Sequence, residues 1–206
     1  MAESTAEKSD SAAGLRICAV LFTGFALCGS VSIAQKYFLK GREHALREGD
    51  QAGLDALLHN KAVFTAAYMR AANCIGKLNK AALPLVRTDV NSARNLQQLA
   101  RIQSLASYIE LADARLAILE ERYEYALTKL EQLQGRGPFP QGHFGANLGL
   151  IEQSHCLCQL GRLDEAESRS RDARDLALEG IDSDDLLVAT WQMLAMSRLD
   201  PRFGVV

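Results

Sequence analysis

Residues 156–166 read Cys156-Leu-Cys-Gln-Leu-Gly-Arg-Leu-Asp-Glu-Ala166. An apolar run that stops at a glycine and reopens on two acidic residues marks one helix ending and another beginning. Glycine takes the left-handed conformation that closes a helix, and carboxylates favour the positive N-terminal end of the next. The stretch predicts a hairpin with its turn at Gly161-Arg162, a first arm from about Ala146 to Leu160, and a second arm from Leu163 to Glu179 carrying Ala166, Arg169, Ala173 and Leu176. Forty residues upstream, Tyr123-Glu-Tyr-Ala126 repeats Leu163-Asp-Glu-Ala166, with Leu130 and Leu133 behind it. Composition agrees with an all-α class: 4 prolines and 6% aromatic residues among 206 argue against a sandwich or barrel, whose strands favour β-branched and aromatic side chains. The 23 Lys and Arg against 25 Asp and Glu, a formal charge of −2, exclude a broadly basic nucleic-acid-binding surface.

The two copies resemble the tetratricopeptide repeat, a family of stacked helical hairpins, over roughly residues 106–180. The resemblance implies that Gly161 makes the turn, that Ala166 sits where the two helices cross, and that Ala173 sits where the next repeat packs. Tyr123 and Ala126 take the matching places upstream. Small residues suit the crossing, since helix axes approach to about 8–10 Å according to the side chains between them. The sequence also departs from the family. The interval exceeds the usual repeat of about 34, an excess that the loop Gly135-Arg-Gly-Pro-Phe-Pro-Gln-Gly142 accounts for; the upstream copy lacks the turn glycine, and neither copy has the customary first-helix aromatic or final proline. The resemblance implies a groove that accepts a helix or an extended peptide, with Asn147, Leu150 and Gln153 as lining residues. Two hairpins leave an apolar face uncovered, so homo-oligomerisation or capping by a helix around Trp191 is expected.

Outward from the repeat, Leu105, Ile109, Ala112, Leu116, Leu119, Tyr123, Ala126, Leu130 and Leu133 recur at spacings of three and four within a stretch, Ser92 to Gln134, that has neither glycine nor proline. One continuous coiled coil satisfies that stripe, and so do two helices folded back near Glu120-Glu121-Arg122. Farther upstream the sequence predicts helices over 36–48, 51–59 and 61–78, with a turn at Gly49-Asp50 and a connection from Leu83-Pro84-Leu85 to Asn91.

Near the N-terminus, Ile17 to Ala34 is an uncharged run of eighteen residues. As one helix it covers about 27 Å, close to the hydrocarbon thickness of a bilayer. The expectation is a single-pass transmembrane helix within a segment 15–40, preceded by a disordered polar tail, 1–14, and followed by a helical linker and first hairpins, 41–91, and the repeat domain, 92–200. A cleaved signal peptide, with Ser32-Ile33-Ala34 as its processing site, and a buried core helix are the alternatives. Lys36, Lys40, Arg42 and Arg47 outnumber Lys8 and Arg16, so the positive-inside rule turns the helical domain towards the cytoplasm.

No catalytic or cofactor pattern emerges. Cys156 and Cys158 point about 200° apart on a helix, which denies one metal both thiols, and burial as small hydrophobes explains them. Gly135, Gly137 and Gly142 follow no strand and precede no Gly-Lys-Ser, and His44, His59, His143 and His155 are scattered. The expected protein is a membrane-anchored, non-catalytic adaptor or assembly factor without cofactor or metal, bound to a bilayer through 17–34 and to protein partners through its groove. The alternatives are a dimeric coiled-coil tether and a secreted helical protein. A single cysteine at Leu119 separates coil from hairpin: a parallel coil joins two copies of it by a disulfide, and a hairpin does not.

Overall fold

The computed structural model describes residues 2–100, 106–135 and 146–180. Among them every regular element is helical: α1 (Ala2–Leu27), α2 (Val31–Glu48), α3 (Gln51–Cys74), a 3-10 turn (Lys80–Ala82), α4 (Leu83–Ala100), α5 (Ala106–Leu119), α6 (Tyr123–Gly135), α7 (Ala146–Gln159) and α8 (Leu163–Gly180). Of the loop expected at 135–142, Gly135 is the last residue of α6, and 136–142, His143 and the helix expected around Trp191 lie outside the described residues.

One device ends five of these helices. Gly29, Gly49, Gly76, Glu121 and Gly161 have φ of 73°, 65°, 71°, 62° and 76°. In each case the following amide donates to the carbonyl five residues back: Ser30 to Phe25, Asp50 to Ala45, Lys77 to Ala72, Arg122 to Ala117 and Arg162 to Leu157, at 2.8–2.9 Å. This left-handed cap satisfies carbonyls that a helix end orphans, and it reverses the chain.

The cap at Gly29 overturns the transmembrane helix. The apolar run is divided between α1, which stops at Leu27, and α2, which starts at Val31. The two arms pack on each other, with the Phe22 and Phe38 rings 6.0 Å apart and Phe25 stacked on Tyr37 at 5.6 Å. Leu15, Phe22, Ala26, Ala34, Phe38, Ala45 and Leu57 form their core. The uncharged part of α1, from Ile17 to Leu27, covers only about 16 Å, roughly half of a bilayer's hydrocarbon core. Among the described residues no helix is long and apolar enough to cross a membrane. The single-pass fold, the membrane localisation and the orientation argued from flanking charges all fall with it; α1 is a one-faced helix that buries Leu15, Cys18, Phe22 and Ala26 and exposes Ile17 and Val20.

Other boundaries move for local reasons. α1 begins at Ala2 and so takes in the small polar residues expected as a tail. α3 runs unbroken through His59 and Asn60, where no glycine or proline interrupts it. Residues 83–91 are the start of α4, not a connection: Pro84 lies in the first turn, where its missing N–H costs nothing, and Asn79 Oδ1 accepts from the Ala81 amide at 3.2 Å just before it. The stripe over 109–133 is a hairpin, because Glu121 turns the chain between α5 and α6; Leu105 lies outside the described residues.

Contacts divide the chain into two compact units. The first comprises residues 1–68 and 84–103. There Gly41 lets α2 approach closely, since a Cβ would lie 3.1 Å from Cys18 Cβ and from Leu57 Cδ2, and Lys61 ties α3 to α4 through Asp89 at 2.8 Å. The second comprises residues 69–83 and 104–206 and holds both hairpins of the repeat.

Glu121 adopts at the cap of α5 a conformation that disfavours a Cβ, and its ion pair with Lys80 is exposed and so contributes little. Glu121→Gly is therefore expected to stabilise the protein by about 0.5–1 kcal/mol, read as a rise in urea midpoint at unchanged m-value. Gly161→Ala should lower the midpoint by a similar amount.

Candidate functional site

The two hairpins of the second unit reproduce one another in detail. Glu121 and Gly161, Arg122 and Arg162, and Ala126 and Ala166 occupy matching places, and the Ala126 and Ala166 amides each donate at 3.0 Å to the arginine carbonyl after the turn. Both alanines are 0% exposed and belong to one core with Leu111, Ala114, Ile118, Leu130 and Leu157. Ser154 Oγ donates to the Ala166 carbonyl at 2.6 Å, which fastens α7 to α8 at the crossing. Tyr123 meets His155 edge-on at 6.1 Å between centroids, linking the first hairpin to the second. Ala173 packs on Leu150 and Ile151 of its own hairpin.

Helix α5 is enclosed on every side from Leu111 to Leu119, including Asp113 and Arg115. An apolar helix without a polar face belongs at the centre of a bundle. The two charged residues of that buried stretch meet the requirement that a buried charge be paired. Tyr125 Oη donates to Asp113 at 3.0 Å, and Arg115 Nε donates to Glu152 of α7 at 3.2 Å.

Glu152 is the focus of the unit. Its side chain is 0% exposed and lies between two guanidiniums, Arg115 on Oε1 and Arg70 of α3 on Oε2, the latter at 2.8 Å. Burial pushes the Glu152 carboxyl up, but Arg70 and Arg115 together outweigh it and hold the group below the ordinary carboxylate range. Arg70 also donates to Cys74 Sγ at 3.4 Å. The neighbouring groups respond to the same dry surroundings. Burial, with repulsion from Arg70, brings His155 down to about 3. Burial and the Glu152 charge push the Cys156 thiol up to about 12, and burial raises Cys74 and Tyr123 as well. These thiols are protonated at neutral pH and make poor nucleophiles. Among the described residues no group of His, Cys, Asp and Glu is arranged to hold a metal ion.

The residues expected to line a groove take interior positions. Leu150 is buried with Ile151 and Ala173. Gln153 is 1% exposed and donates from Nε2 to Gln134 Oε1 at 3.1 Å, while its own Oε1 accepts no hydrogen bond. Asn147 lies in the first turn of α7, and its side chain is outside the described residues. Sequence reasoning missed the Arg70–Glu152–Arg115 arrangement, because its members are far apart in the chain. A lone glutamate among Ile151, Cys156 and Leu157 was the available signal. No protein-family model, curated protein or solved structure matches the chain.

His155 and His59, the latter brought to about 4 by burial, are neutral in the folded state and take up protons on unfolding below about pH 6.5. The unfolded chain then binds more protons, so stability falls as pH falls. Urea unfolding at pH 7, 6 and 5 should show a loss approaching about 1.4 kcal/mol per pH unit for each histidine below pH 6. His155→Asn should roughly halve the slope; an unchanged slope contradicts the assignment.

Proposed function

We propose that the chain is a non-catalytic adaptor or assembly factor that holds protein partners on a tetratricopeptide-like repeat formed by α5 to α8. The observation that carries this reading is the repeated hairpin itself: two copies forty residues apart share the same left-handed cap, the same arginine after it and the same buried alanine at the crossing. Repeats of this kind set the first helices of successive hairpins, here α5 and α7, side by side, an arrangement that suits a helix or an extended peptide better than a small molecule. Leu111 to Leu119 of α5 are themselves buried, and Gln159 of α7 is exposed. The protonated thiols and the neutral imidazole of His155 support binding over catalysis.

A photo-crosslinking amino acid placed at Gln159, one helical face with Glu152 and exposed, or at Glu121 should yield a discrete adduct with a second protein in cells. The same probe at Ile17 or Leu39, exposed positions of the first unit, should yield none. Equal adducts from both units, or none from the repeat, contradict the reading.

A further inference from the structure

Ser154 and Glu152 lie two residues apart on α7, hence about 200° apart around its axis. Ser154 is fastened to α8, so Glu152 faces away from its own hairpin partner. On α5, Leu111, Ala114 and Ile118 pack into the core shared with α6, and Arg115 projects beside them to reach the same Glu152. The carboxylate and the Arg115 guanidinium thus meet on the face that the first helices of the two hairpins have in common. What reaches that face is not part of the repeat. Arg70 comes from the C-terminal end of α3, within the segment 69–83 that joins the second unit from far upstream in the chain.

The charges make Arg70 the separable member. Glu152 has a counter-ion in Arg115, supplied by the repeat itself, and those two form a neutral pair. Arg70 adds a second guanidinium to the one carboxylate, and its attraction to Glu152 outweighs its own desolvation, so the site favours an arginine there although Arg115 already neutralises the carboxylate. Lys80 of the same segment pairs with Glu121 at 3.0 Å, but the two side chains are 70% and 65% exposed and the pair contributes little. Resting on the adaptor reading, we propose that Glu152, oriented by Arg115, is the selectivity element of a helix-binding face that recognises an arginine presented by a partner helix, and that Arg70 of α3 is an internal stand-in that occupies this face until a partner displaces it.

The test uses the full chain and a fluorescent peptide of residues 62–78. Arg70→Met keeps the bulk of the side chain and leaves the neutral Arg115–Glu152 pair, so the variant is expected to unfold cooperatively like the parent. It should bind the peptide about tenfold or more tightly than the unaltered chain does, and a peptide with methionine in place of arginine should bind the variant about tenfold more weakly. Equal binding of both peptides, or binding no better than that of the unaltered chain, overturns the proposal. Loss of the cooperative transition in Arg70→Met overturns it too, since a displaceable occupant is not needed for folding. In the unaltered chain, excess peptide carrying Cys74→Ser should speed thiol labelling of the chain's Cys74, mapped by mass spectrometry, while Cys156 stays protected; no acceleration counts against displacement. A failure here alongside discrete crosslinks at Gln159 removes the arginine-reading face and leaves the adaptor reading, whereas absent crosslinks remove the adaptor reading itself.

Discussion

A carboxylate with no access to water has to be met by positive charge, and Glu152 is met twice. Much of the second unit follows from that requirement. Arg115 must point inward from α5, which leaves that helix enclosed on both its apolar and its charged sides. α7 must present Glu152 opposite the face it fastens to α8, where Arg70 at the end of α3 meets it as a second counter-ion. Removing one partner of such a pair typically costs about 3–5 kcal/mol, because the other charge stays buried. The Arg115–Glu152 pair ties the first helix of one hairpin to the first helix of the other.

The left-handed cap is the second constraint. It turns a chain rich in alanine and leucine into antiparallel hairpins, and it acts on the first unit as it does on the repeat. In the first unit it decides between two readings of one apolar run. The same residues that suffice in number to cross a bilayer as one helix are divided at Gly29 and bury each other's aromatic rings. Counting apolar residues measures how much surface needs covering, and the turn determines whether lipid or protein covers it.

The all-helical class and the hairpin at Gly161 were legible because a glycine flanked by an apolar run and two acids has few other uses. The upstream hairpin was only half legible: its cap residue is Glu121, which carries no glycine signal, so a continuous coil fitted the stripe equally well. Gly29 lies inside the run, but a count of apolar residues gives a single glycine no weight as a turn. Pro84 was read as a breaker, although proline in a first turn starts a helix. Within the candidate site, the repeat resemblance pointed to Ala126 and Ala166, which are buried in one core, whereas Ala173, expected where a next repeat packs, lies against Leu150 and Ile151 of its own hairpin. Leu150 and Gln153 were placed on a groove by analogy, and the structure buries both. The Glu152 centre was illegible because contacts between α3, α5 and α7 are a property of the fold, and no local pattern encodes them.

Native-state hydrogen exchange of the full chain tests most directly whether the end of α3 is an occupant of the repeat or part of its core. The account expects the amides of Met69 to Cys74 to exchange through a local opening at least about 2 kcal/mol easier than the opening that exposes Leu111 to Leu119. If both segments exchange with the same free energy and respond identically to denaturant, they open as one cooperative body and the account is wrong.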